Sequence, residues 1–401
     1  MILEKPISIS PKAAAQIHQG RLWIFSNELT LEKPFPPAGS WTHFECQGRI
    51  VGTGYINPHS LIAGRIVSRE KVDDLPSSIG ERLRMAFQAR LRKFSEGSCR
   101  LIFSESDLLS GLIVDFYSGV LVLQSNTAGI DQILPILEIS IPEIFREVFK
   151  TEINGMVIRG ESNFRKLEGI ENFKRITLGA ETELKNGKFS NNGVYYAADF
   201  LDGQKTGFYL DQTDNRSYLA KWVGENPGAK ILDLFCYSGG WGLRALNAGD
   251  CQVTLVDESR EALDLVRKGI ELNHIPPAKT SIVTSEVFKF LEGTADTFDL
   301  IVADPPAFAK SKKDIPKALK GYEKLNRLAW RHIRENGTLI TSSCSYHVRE
   351  EEFLGVVQKA VAREGGSAQI SFRGGQSSDH PVLLSMPETN YLKCFALKKL
   401  T

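Results

Sequence analysis

Four continuous apolar runs dominate the second half of the chain: ILDLF (231–235), CQVTLVD (251–257), FDLIVAD (298–304) and GTLITSS (337–343). Runs of this kind, without polar alternation, are strands buried on both faces of a parallel sheet. Helical patterns separate them, at Gly240 to Asn247, Arg260 to Asn273 and Pro316 to Arg334. Strand and helix in regular alternation define an α/β fold with an open, doubly wound sheet. Its binding crevice lies beyond the carboxyl ends of the strands. The tail, DHPVLLSMPETNYLKCFALKK, reads as two closing strands around a turn.

At 401 residues the chain exceeds what a single core usually organises. Residues 1–72 hold short apolar bursts broken by Gly and Pro, which predicts a small, strongly curved β domain. Residues 73–190 predict a central α/β domain. There, apolar residues at 79, 83, 87, 91 and 94 mark a helix from Ile79 to Phe94 with a basic outer face. GLIVDFYSG and VLVLQSN follow as strands turning at Ser118-Gly119, then a helix near 130–149 and the strand-like MVIRG. ETELKNGKFSNNG (181–193) reads as a boundary loop or hairpin, and residues 191–401 form the third domain.

The net charge of +1 excludes a whole-chain basic signature for nucleic acid, though not a local patch. Six cysteines without a CxxC pair disfavour a disulfide scaffold or a structural zinc site. The first ten residues lack the apolar core of a signal peptide, and no run reaches membrane-spanning length. A reduced, soluble, cytoplasmic protein is the expectation.

The suggestive residues of the third domain stand at strand ends. Asp233 lies within the first strand, and Cys236 to Gly240 form the turn into a helix, where Gly239 and Gly240 would let backbone approach a ligand closely; any tight strand-to-helix turn can use such glycines. Asp257 ends the second strand and can accept hydrogen bonds from both hydroxyls of a ribose, or serve at the start of the following helix. Glu286 is placed to reach an adenine amino group. Asp304 opens DPPAFAKS, where two prolines stop a buried strand and leave a rigid rim. With no GxGxxG and no GxxxxGK[ST], these acids suit a sulfonium cofactor, S-adenosylmethionine, better than a dinucleotide or a nucleoside triphosphate.

Cys344, in TSSCSYH, leaves the last of the four strands beside the same crevice. A buried packing role is the common fate of such a cysteine; beside the DPP rim a reactive role is favoured. Carbon 5 of cytosine is a poor nucleophile, and a thiolate adding at C6 supplies the electron density it lacks. Asp304 would stabilise the adduct near ring N3. Cys236 belongs to the cofactor turn and is given a packing role.

These segments resemble the bacterial 23S ribosomal RNA cytosine-5 methyltransferases of the large-subunit methyltransferase I type, along nearly the whole chain. GRLWIFSNEL (20–29) and SLIAGRIVS (60–68) resemble that family's PUA domain, and DLLSGLIVDFYSG (107–119) its central domain. GQKTGFYLDQTDNR (203–216), DLFCYSGGWG, LVDES, ADPPAFAKSKKD, SSCS and DHPV follow in family order. The resemblance implies a Rossmann-like class I methyltransferase domain behind a small β-rich PUA domain and a central α/β domain. It implies Cys344 as nucleophile with Asp304, and cofactor contacts from Gln212, Asp233, Phe235, Tyr237, Gly239, Asp257, Glu286 and Asp304. It further implies 23S rRNA as substrate and a homodimer. The sequence departs from the family pattern at Thr213 and Phe116, where the family carries arginine, and at Glu286, where it usually carries Asp.

A base must leave its stack to meet a buried thiol. Lys310, Lys312 and Lys313, continuing through Lys317, Lys320 and Lys324, are candidate phosphate contacts beside the rim. Arg82, Arg84, Arg90, Arg92 and Lys93 are weaker candidates, as are Arg21 and Trp23. Two other readings stay open: methylation of a guanine ring nitrogen, which needs no cysteine nucleophile, and a non-catalytic RNA-binding assembly factor.

Overall fold

The computed structural model describes residues 2–400. Its contacts divide the chain into two compact units, one of residues 1–187, 199–207 and 379–389, the other of 188–198, 208–378 and 390–401. Residues 188–190, expected in the central domain, fall in the second unit.

The first unit holds two five-stranded sheets. In one, Ser40–Cys46, Arg49–Ile56 and Ile62–Ser68 pair antiparallel, flanked by Ile7–Ser8 and Trp23–Phe25. In the other, Leu112–Tyr117 and Val120–Ser125 form the expected hairpin. Ser118 and Gly119 both adopt positive φ (45° and 106°), the backbone twist that a two-residue turn requires. Against it pack the helices Leu75–Ala89 and Ala128–Phe149, through Ile79, Leu83, Phe87, Ile141 and Phe145.

The second unit is built on a seven-stranded sheet. In chain order its strands are β1 (Ala229–Leu234), β2 (Cys251–Asp257), β3 (Thr280–Thr284), β4 (Phe298–Ala303), β5 (Ile333–Ser343), β6 (Ala368–Gly374) and β7 (Lys393–Lys399). The spatial order is β3-β2-β1-β4-β5-β7-β6, parallel from β3 through β5, with β7 antiparallel to both neighbours. Helices α1 (Thr213–Glu225), α2 (Gly240–Ala248), α3 (Arg260–Leu272), α4 (Val287–Gly293), α5 (Ile315–Arg331) and α6 (Glu350–Arg363) accompany it. Ile231, Leu232, Leu234, Leu300, Ile301 and Val302 are buried, as strands covered on both faces must be. The order reverses between β1 and β4, so the crevice opens at their carboxyl ends, where Asp233, Asp304 and Cys344 were expected.

Three expectations need correction. The basic helix ends at Ala89 rather than Phe94, because Arg90 turns inward and donates to both oxygens of Asp107 at 2.7 Å. A short helix, Leu91–Phe94, resumes with Leu91 exposed. The boundary stretch at 181–193 contains a helical turn, Glu181–Lys185, before its hairpin of Gly187–Asn191 and Val194–Ala198. The tail contributes one strand, not two. Its first half, within 379–389, belongs to the first unit, where Asp379 accepts from the Arg100 amide and Ser385 donates to the Gly20 carbonyl. Pro381 and Pro387 have no N–H to offer a ladder. The strand pairs instead with β5 and with Ala368–Gly374, an edge strand whose pattern is mostly exposed.

Candidate active site

Asp304 lies one residue beyond β4. Its Oδ1 accepts from Gln212 Nε2 at 2.9 Å and its Oδ2 from Trp241 Nε1 at 2.9 Å. Gln212 is itself held by Asn215, whose Nδ2 donates to its Oε1 at 2.6 Å and to the Gly375 carbonyl at 2.8 Å. Both Gln212 and Asn215 are buried. Trp241, Asn215 and this chain of amides were missed by sequence reasoning, although Trp241 stands inside the GGWG motif.

Asp233 is 1% exposed. Its Oδ2 accepts from the Gly242 amide in the first turn of α2 at 2.8 Å, while Oδ1 has no partner. Burial, with Asp304 and Asp257 nearby, pushes its carboxyl up to about 8 in spite of the Gly242 bond and the Arg216 charge. Phe235 and Tyr237 both take positive φ (59° and 48°) in the turn after β1. Non-glycine residues held there signal a backbone over-determined by its surroundings, a recurrent feature of ligand sites. Tyr237 packs edge-on against Tyr209 at 5.5 Å, and its amide donates to Asp257 Oδ2 at 2.9 Å.

Asp257 also accepts from the Ser259 amide at Oδ1, 2.9 Å. Each of its oxygens therefore keeps a lone-pair site for a hydroxyl donor. The cap of α3 is Ser259. Glu286 is exposed and caps α4, its oxygens accepting from Phe288 and Lys289 amides at 3.1 and 2.8 Å. Gly239 has φ 82°, and a Cβ there would stand 3.1 Å from Leu243. A Cβ on Gly240 would meet the Arg216 guanidinium at 2.8 Å. The space beside both glycines is filled by the protein's own side chains.

Cys344 follows β5 directly, half-buried, with its Sγ 3.9 Å from the Pro305 carbonyl. The cysteine loop is pinned on three sides. Ser345 Oγ accepts from the Ala309 amide at 3.1 Å, which ties the loop to the DPP rim. The Tyr322 hydroxyl of α5 bonds both Ser345 Oγ (2.8 Å) and Ser343 Oγ (3.0 Å). Lys393 of β7 donates to the carbonyls of Ser345 and Val348 at 2.8 Å each. Cys236, by contrast, is buried, and burial holds its thiol well above the usual range.

The two departures at Thr213 and Phe116 are interior positions. Thr213 donates to the Leu210 carbonyl, and the Phe116 ring packs at a tilt against Phe94 and Phe145. Of the cationic candidates, Lys310, Lys312, Lys313, Lys317 and Lys320 are exposed, and Lys324 pairs with Glu292. Arg84 is committed to Glu147, Lys93 to Glu96, and Arg21 to Gln16 and Glu28. Arg82 is half-buried and Arg92 exposed, while Trp23 donates to Glu105.

Strand-end acids with acceptor sites left open, a strained turn and a buried carboxyl oxygen without a partner form a site suited to a hydroxyl-bearing nucleoside. Residues 177–373 match the S-adenosylmethionine-dependent methyltransferase family, and residues 7–69 match the PUA-like domain. The protein is therefore an S-adenosylmethionine-dependent methyltransferase of class I architecture, with an N-terminal PUA-like domain. Two solved structures share the fold over 99% of this chain and 100% of theirs, each at 22% identity. One is a candidate methyltransferase of Streptococcus mutans (TM-score 0.79), the other a candidate methyltransferase complexed with SAH (TM-score 0.80). Ribosomal RNA large subunit methyltransferase I of Pseudoalteromonas translucida is 34% identical, over 92% of this chain and 93% of the relative. The Aeromonas hydrophila protein of that name is 34% identical over the same shares. The chain belongs to the ribosomal RNA large subunit methyltransferase I family. Among the described residues, no helix is long and apolar enough to cross a membrane.

Proposed function

We propose that the protein methylates C5 of a cytosine in 23S ribosomal RNA, with Cys344 as nucleophile and Asp304 as its partner. The observation that carries this reading is the placing of the Cys344 thiol against the Pro305 carbonyl, one residue from Asp304. A methyltransferase acting on a ring nitrogen needs no thiol there.

Bound at the strand ends, S-adenosylmethionine supplies an electrophilic methyl group. Addition of the Cys344 thiolate to C6 breaks the C5–C6 double bond and places electron density at C5. Asp304, its oxygens oriented by Gln212 and Trp241, holds a proton near ring N3 and stabilises the charge that develops there. After C5 has gained the methyl, loss of the C5 proton restores the double bond and expels the thiolate. Asp233, Phe235, Tyr237, Gly239, Asp257 and Glu286 are assigned to the cofactor. Asp257 would take the ribose hydroxyls, with Glu286 at the adenine edge. The exposed lysines 310, 312, 313, 317 and 320 are assigned to RNA phosphates, with Lys324, Arg82 and Arg92 in support. A division at 1–72, 73–190 and 191–401, a cytoplasmic site of action and a homodimer complete the reading and rest on the family resemblance.

The test is nucleoside analysis of unmodified 23S rRNA after incubation with the protein and labelled S-adenosylmethionine. Labelled 5-methylcytidine, lost with Cys344→Ala, is expected. Label on guanosine with the variant still active would overturn the assignment.

A further inference from the structure

The cofactor and rim assignments leave one charged group beside the nucleophile without a role. Lys393 lies on β7 opposite Ser343, the residue that precedes Cys344. It is buried, yet its ammonium meets backbone carbonyls, those of Ser345 and Val348, rather than a carboxylate. A neutral donor would tie down two carbonyls at lower desolvation cost, so a structural clamp alone does not account for a cation here. Desolvation draws the amine down to about 8, against the opposing charges of Cys344 and of Glu350 and Glu352 on α6. Glu350 is partly committed to Arg373. Two further titratable groups coupled to Cys344 are the phenols of Tyr209 and Tyr322, both raised chiefly by burial and in smaller part by the thiol's negative charge. Neither supplies positive charge to the cysteine loop.

We propose that Lys393 is the positioning residue for Cys344, clamping the loop that carries the thiol and supplying the positive charge that favours its thiolate. This rests on Cys344 being the nucleophile. Acting through Cys344, the lysine need not touch RNA or cofactor. Its charge is present well below pH 8 and is lost as the pH rises through about 8, so support for the thiolate fades across that range.

The experiment follows iodoacetamide alkylation of Cys344 against pH in the full-length protein without RNA, read from the mass of the peptide that contains it. The wild-type midpoint is expected below the ordinary thiol value of about 8.5. In Lys393→Met and Lys393→Gln it should rise by a pH unit or more, which slows alkylation at pH 7 about tenfold. Lys393→Arg, which keeps the charge, should stay near wild type. Circular dichroism and S-adenosylmethionine binding report whether each variant is folded. An unchanged midpoint in a folded neutral variant overturns the proposal. So does a wild-type midpoint at or above 8.5, whatever becomes of the variants. Since no RNA is present, failure here is distinct from failure of the cytosine reading, which an active Cys344→Ala enzyme would reveal.

Discussion

The two halves of the candidate site are built on different principles. Around β1, β2 and α4, carboxylates are held by backbone amides, most of them close in the chain: Asp257 by Ser259, Glu286 by Phe288 and Lys289, Asp233 by Gly242, with Tyr237 reaching Asp257 from the turn after β1, twenty positions away. Around β4 and β5, holding is done by side chains far away in sequence. Gln212 and Trp241 fix Asp304 across 92 and 63 positions, and Lys393 fixes the cysteine loop across 48. Strand–turn–helix geometry and the pairing of two neighbouring strands make the first half. The second exists only once the whole sheet is assembled, and it is where proton and electron movement is proposed.

That contrast predicts unequal responses to mutation. Asp304→Ala removes the carboxylate on which Gln212 and Trp241 converge, and it should lower the methylation rate constant by about 10²–10⁴-fold. Cofactor affinity, measured by calorimetry, should fall far less. Equal losses in both would erase the distinction between the halves.

Asp233→Asn tests the other half through stability. The buried carboxyl titrates near 8, well above its unfolded value of about 3.9. The folded state therefore binds the extra proton, and this group's contribution is complete below pH 4 and lost as the pH rises to about 8. The asparagine can still accept from Gly242 and never ionises. Thermal melts should show the variant gaining on the wild type between pH 5 and 8, by on the order of a few kcal/mol at the upper end. Parallel pH curves for the two proteins would mean that Asp233 is not held protonated.

The same contrast marks how far the sequence was legible. Apolar runs placed all four strands named from the pattern, because a doubly covered parallel strand carries its signal within six or seven residues. Strand β6 escaped, since an edge strand that alternates poorly and is mostly exposed has little such signal. Asp233, Asp257 and Asp304 were readable as strand-end acids. Gln212 came with the family resemblance, but its hydrogen bond to Asp304 is a tertiary fact. Arg90 illustrates the opposite error: a basic residue on a periodic helix looked solvent-facing, yet Asp107 takes it inside. At Gly239 and Gly240 the structure shows what a side chain would meet, Leu243 and Arg216, so packing within the turn already requires glycine there. Trp241, Tyr322 and Lys393 could not be found from local pattern, because each acts through partners more than twenty positions away.

The central claim is that Cys344 forms a covalent bond to a cytosine in the RNA. The most direct measurement replaces cytidine with 5-fluorocytidine in a 23S rRNA transcript, so that the C5 substituent cannot leave as a proton and the adduct persists. With S-adenosylmethionine present, a denaturation-resistant protein–RNA species that maps by mass to Cys344 and is absent from Cys344→Ala is predicted. Turnover of the unsubstituted transcript with no such species formed on the fluorinated one would contradict the account.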